Sequence, residues 1–90
     1  MDWTVGATKK AAKQMKRLSP KLQDILKMLI KDIRVSGPVR GDWPNYSKLA
    51  DGSHHCHLNY SHVACWQVDG GNVKLVEVYY VGSRKDAPYD

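Results

Sequence analysis

The run His54-His55-Cys56-His57, with His62 shortly after it, is the densest concentration of reactive side chains in the chain. Imidazole exchanges protons near neutral pH, so such a cluster suits acid–base catalysis. Imidazole and thiolate are also zinc ligands. No second Cys/His cluster at finger spacing accompanies them, and a polar strand without chemistry is a third reading. Alternation along a strand puts His55 and His57 on one face, and His54, Cys56 and Leu58 on the other. With Tyr60-Ser61 as a hairpin tip, Cys56 falls opposite Cys65 and Leu58 opposite Val63. Those four residues then form an inner face, and His55 and His57 point to the free face of a sheet. Both cysteines read as reduced, buried core residues.

Three further positions carry chemistry. Lys48 lies on the segment before the histidines, within Ser47-Lys48-Leu49. Arg84, followed by Lys85, leaves the last apolar run, and a guanidinium there can bind phosphate with two hydrogen bonds. Tyr89 can stack on a base or supply a hydroxyl. Gly37, Gly41, Gly70 and Gly71 are scattered, and none opens a helix, so no phosphate-cradling glycine loop is present. The inventory of cations, imidazoles and aromatics suits gripping RNA and steadying a phosphorane-like transition state.

The elements that must position these residues follow from periodicity. Residues Asp2 to Ala7 alternate, with Trp3, Val5 and Ala7 on one side, as a short strand does. Thr8 caps a helix to about Leu18, in which Ala11, Met15 and Leu18 share a face and Lys9, Lys10, Lys13, Lys16 and Arg17 crowd the rest. Ser19-Pro20 restarts the chain as a second helix, with serine at the N-cap and proline in the first turn. Leu22, Ile25, Leu26, Leu29, Ile30 and Ile33 then form an apolar helical stripe, which Gly37-Pro38 ends. Beyond the loop from Val39 to Pro44 the pattern changes to period two. Strands are expected at Tyr46 to Ala50, His54 to Asn59, His62 to Asp69 and Val73 to Val81. Gly70-Gly71 is the turn joining the last two. The order is βααββββ, an α+β fold with a helical hairpin packed on one face of a mainly antiparallel sheet.

Ninety residues make one domain, residues 1–90. A 42% hydrophobic and 26% charged composition is ordinary globular usage and argues against disorder. No apolar run approaches the ~20 residues of a membrane span. The N-terminal residues lack the basic start and apolar stretch of a signal peptide, which points to the cytoplasm. Fourteen Lys and Arg against nine Asp and Glu give a net charge of +5, which favours polyanions such as nucleic acid, or an acidic protein partner.

The chain resembles the RelE/ParE superfamily of bacterial toxins from type II toxin–antitoxin modules, and more closely the RelE branch. The likeness rests on the βααββββ order, Trp43 to Leu49 as W-x-x-x-x-K-L, and His54 to Leu58 as HHCHL. It also rests on Ala64 to Val68 as ACWQV, and on the ending EVYYVGSRKDAPY from Glu77 to Tyr89. The resemblance implies a RelE-like fold and a ribosome-dependent endoribonuclease (an mRNA interferase) that inhibits translation without a metal or other cofactor. It implies the ribosome, messenger RNA and a cognate acidic antitoxin as partners. The family's strand lysines correspond to His55 and His57, its arginine after the last strand to Arg84, and its C-terminal tyrosine to Tyr89. An arginine expected near Val63 or Ala64 is absent. On this reading the RNA 2′-hydroxyl attacks the phosphodiester, with His55 or His57 as base. Arg84 and Lys48 steady the charge, Tyr89 orients the base or acts as acid, and Lys48, Arg84 and Lys85 hold RNA. Two alternatives remain: a ParE-like inhibitor of DNA gyrase without nuclease activity, and an inactive RNA- or ribosome-binding relative.

Overall fold

A computed structural model describes residues 3–68 and 75–88. The expected Gly70-Gly71 turn and Tyr89 lie outside them. The first strand, β1 (Thr4–Ala7), is followed by helices α1 (Lys9–Arg17) and α2 (Pro20–Ser36). Four further strands follow: β2 (Ser47–Lys48), β3 (His54–His57), β4 (His62–Val68) and β5 (Leu75–Ser83). A single 3-10 turn, Arg84–Asp86, leads into the tail. The sheet order is β1-β5-β4-β3-β2, with β1 parallel to β5 and all other neighbours antiparallel.

Local chemistry sets the helix ends. The Thr8 hydroxyl accepts from the Ala11 N–H at 3.0 Å, and the Ser19 hydroxyl from the Leu22 N–H at 3.3 Å. Gly37 ends α2 at φ 98°, where a side chain would be strained, and an added Cβ would lie 3.1 Å from Trp3 Nε1. The buried stripe Leu22, Leu26, Leu29 and Ile33 of α2, with Ala11 and Leu18, packs on Cys56, Leu58, Ala64, Trp66, Val76, Val78 and Val81 of the sheet side. Trp66 is fully buried, and its indole N–H donates to the Pro38 carbonyl at 2.9 Å. That bond ties the chain leaving α2 to the middle of the sheet.

The β3–β4 register differs from the expected one. Cys56 pairs with Ala64, His57 with Val63 and His55 with Cys65. The connection is one residue longer than a two-residue tip. Asn59 Oδ1 accepts from the N–H groups of Ser61 (2.8 Å) and His62 (2.7 Å), closing the loop, and the Leu58 N–H donates to the His62 carbonyl. A one-residue shift moves a strand's side chains to the opposite face. Cys65 and Val63 therefore join the outer face, not the inner one, although both are fully buried. Both cysteines are free thiols. Strand lengths also differ: β3 stops at His57 because Leu58 and Asn59 belong to the loop, and β2 spans two residues.

Candidate active site on the outer sheet face

A second bulge builds the outer face. Cys65 pairs with Tyr80 but Trp66 pairs with Val78, so Tyr79 is the extra residue of β5. The bulge turns both Tyr79 and Tyr80 outward. Val63, Cys65 and Tyr80 form a small second core there, covered by Tyr79 and by Ala87 from the tail. Val81, beyond the bulge, returns to the inner face, and its N–H donates to Gln14 Oε1 of α1 at 2.9 Å.

His55 and His57 share this outer face, with ring centroids 5.9 Å apart and planes tilted by 57°. Their environments differ. His55 is only 7% exposed, and its Nδ1 lies 3.0 Å from the Ser47 hydroxyl, on the residue paired with it across β2–β3. His57 is half-buried. Burial, and then the neighbouring Arg84 guanidinium, hold the His57 imidazole below its ordinary pKa. Burial does the same for His55, partly offset by its hydrogen bond to the Ser47 backbone. Both rings are thereby favoured as neutral bases near pH 7.

Arg84 reaches this site because the chain turns sharply after β5. The Arg84 N–H donates to the Ser61 carbonyl at 2.8 Å, and the Ser83 hydroxyl caps the turn by accepting from the Lys85 N–H at 3.2 Å. The Tyr80 hydroxyl donates to the Ser83 carbonyl at 2.7 Å. Arg84 and Lys85 are exposed, and with Tyr60, Ser61 and Ser83 they line a shallow depression of about 200 Å³. The β3–β4 loop thus anchors the Arg84 backbone, from which the guanidinium charge acts on His57.

The sequence cluster is split between two faces. His54 points inward, 4% exposed, stacked on Trp66 at 5.9 Å with planes within 9°. Its Nδ1 lies 2.6 Å from the Tyr46 hydroxyl, and burial, then the Lys48 charge, lower its pKa. Lys48 pairs with His54 across β2–β3 and so lies on the same side of the sheet as His54, though exposed at its edge. This corrects the expectation that Lys48 works beside His55 and His57, because alternation along β2 gives the outer position to Ser47. His62 lies on the inner side of β4, near α1. Among the described residues, no three His, Cys, Asp or Glu side chains gather as a metal-holding group.

Sequence reasoning missed Ser47, which orients His55, and a hydroxyl chain behind the site. The Ser53 hydroxyl donates to Asp51 Oδ1 at 2.6 Å and lies 2.8 Å from the Tyr79 hydroxyl, which also meets Cys65. Burial raises the Tyr79 pKa, and the two buried thiols are pushed up to about 12, so none of the three is an anionic nucleophile at neutral pH. Pairing across β2–β3 signals Ser47 once the register is known; nothing in the sequence signals the bulge at Tyr79.

No protein-family model matches the sequence, and no curated protein does. Solved structures do match. The YoeB dimer from Staphylococcus aureus superposes with a TM-score of 0.74 at 16% identity, over 93% of this chain and 99% of that one. The chain has the fold of the RelE and YoeB toxins. Archaeal RelE, from a RelE–RelB complex of Pyrococcus horikoshii, gives 0.73 at 12% identity, over 97% of this chain and 100% of that one. A YoeB/ParE toxin from Agrobacterium tumefaciens gives 0.74 at 16%, over 90% and 98%. The RelE-like expectation for the architecture, helices on one face of a mainly antiparallel sheet, therefore holds along the chain's described length.

Proposed function

We propose that this protein is the toxin of a toxin–antitoxin pair and cuts messenger RNA on the ribosome. The observation that carries the reading is the half-buried His57 imidazole on the outer sheet face, close enough to the Arg84 guanidinium for that charge to lower its pKa. His57 takes the proton from the RNA 2′-hydroxyl as that oxygen attacks the adjacent phosphorus. Arg84 steadies the negative charge that builds on the phosphoryl oxygens. His55, buried against Ser47, positions the His57 ring and shields it from solvent. Tyr89 supplies the proton that the leaving 5′-oxygen takes up, and Lys85 holds the strand. The products are a 2′,3′-cyclic phosphate and a 5′-hydroxyl. Lys48 has no part on this face.

The neighbouring structures include YoeB bound to YefM and RelE bound to RelB. With a net charge of +5, an acidic antitoxin segment is the matching partner for this chain. A second reading, inhibition of DNA gyrase without RNA cleavage, is favoured by Val63, a fully buried apolar residue on the outer face near where the family carries an arginine.

Purified ribosomes programmed with a defined message test the proposal. The wild type is expected to leave cyclic-phosphate and 5′-hydroxyl ends, and Arg84→Ala to slow cleavage about 10²-fold, the usual cost of one transition-state donor. Intact message with the wild type, combined with arrested gyrase supercoiling, would transfer the assignment to the second reading. Intact message with ribosome binding retained would leave an inactive relative.

A further inference from the structure

A cavity of about 410 Å³ opens on the far side of the Ser83 turn from the outer-face site. Its walls come from α1 and from two strands far from it in sequence, β4 and β5. Lys10, Gln14 and Arg17 project from one face of α1 at i, i+4 and i+7, and His62 and Ser83 face them from the ends of β4 and β5. Gln14 is fixed, since its Oε1 accepts from the Val81 N–H, which leaves its amide N–H groups as donors on the wall. His62 also lines the wall, and its Nδ1 lies 2.9 Å from the Ser61 hydroxyl.

Helix α1 carries no acid in its first turn, and places Lys9 and Lys10 there, against the positive end of the helix dipole. Among the described residues, neither Lys10 nor Arg17 has an ion-pair partner. Asp86 is the carboxylate on the cavity wall, and two cations against one anion leave it net positive. Such a concave, donor-rich site fits a phosphate group.

Ser83 also lines the depression that holds Arg84 and Lys85. The two depressions therefore meet at Ser83, with Arg84 and Lys85 lining one and Lys10 and Arg17 the other. We propose that this cavity is a second phosphate subsite, which grips the backbone of the RNA strand beyond the bond being cut. The inference rests on the nuclease reading for its choice of RNA, but its test does not depend on cleavage.

The probe is a 2′-O-methyl RNA strand, which lacks the attacking hydroxyl and stays intact. Affinity is measured by fluorescence anisotropy as a function of salt. Neutralising the two cations, Lys10→Gln with Arg17→Gln, removes one phosphate contact and is expected to make the slope of log K against log salt shallower by about 0.7 on a single strand. A charge-matched control, Lys21→Gln with Lys31→Gln on the exposed side of α2, is expected to keep the wild-type slope. Asp86→Asn is expected to tighten binding. Equal slopes in the two double variants would overturn the subsite, and so would unchanged RNA binding with weakened binding of an acidic peptide. If the slopes differ as expected while ribosome-bound message stays intact, the subsite stands and the nuclease reading falls.

Discussion

Replacing Asn59 with alanine removes a single side-chain oxygen that accepts three hydrogen bonds, from the N–H of Ser61 (2.8 Å), the hydroxyl of Ser61 (3.1 Å) and the N–H of His62 (2.7 Å). The Ser61 hydroxyl can turn to water, so the lasting loss is the two partly buried backbone donors. At a net ~0.5–1.5 kcal/mol for each bond, the substitution costs about 1–3 kcal/mol. In a domain of this size, each 1 kcal/mol lowers the melting temperature by about 4–8 °C. A loss of about 8–16 °C is therefore expected for a cost near ~2 kcal/mol. Asn59→Asp keeps the acceptor and most of the stability. The function responds too, because the Ser61 carbonyl of this loop holds the Arg84 N–H. Loosening the loop frees the guanidinium from its place beside His57, so the cleavage rate per folded molecule should fall in Asn59→Ala and recover in Asn59→Asp. Thermal denaturation and single-turnover cleavage provide the two readouts. An Asn59→Ala protein that melts with the wild type, or that cuts at the wild-type rate per folded molecule, would refute the role given to this loop.

Two further outcomes follow from the inner and outer histidines. Tyr46→Phe strips the partner from Nδ1 of His54, which is 4% exposed, and should cost about 1–3 kcal/mol in urea denaturation; no measurable change would contradict that bond. Burial lowers the pKa of His54, His55 and His57 from the ordinary 6.5, so below that value the unfolded chain binds more protons than the folded one. Their contribution is complete above the ordinary pKa and is lost as pH falls through it towards the folded-state values. Urea midpoints should therefore drop between about pH 7.5 and about pH 5.5, and a midpoint that rises on acidification would reverse the assigned direction.

Much of the architecture was legible because it is carried by local signals. The Thr8 and Ser19 caps, the Leu22-to-Ile33 stripe and the Gly37 stop act within a few residues of themselves, and each helix begins and ends where they direct. The inward His54 and the outward pair His55 and His57 followed from period-two alternation alone. What alternation cannot supply is register. The extra loop residue closed by Asn59 decides which face receives Cys65, and the bulge at Tyr79 decides how Tyr79 and Tyr80 can both point outward. Both are side-chain or backbone irregularities with no periodic trace. Lys48 shows the consequence for the site: its spacing from the histidines is suggestive, but its cross-strand partner is His54, and that pairing exists only in three dimensions.

The two-faced sheet gives the most direct measurement. Ribosome-dependent cleavage of one message is compared under single-turnover conditions for the wild type, His57→Ala, Arg84→Ala and Lys48→Ala. Loss of the outer-face base or cation should lower the rate by about 10² or more, while loss of Lys48, exposed on the opposite side of β2, should leave it unchanged. Equal losses in all three variants, or full activity without both His57 and Arg84, would contradict a phosphodiester site on the outer face.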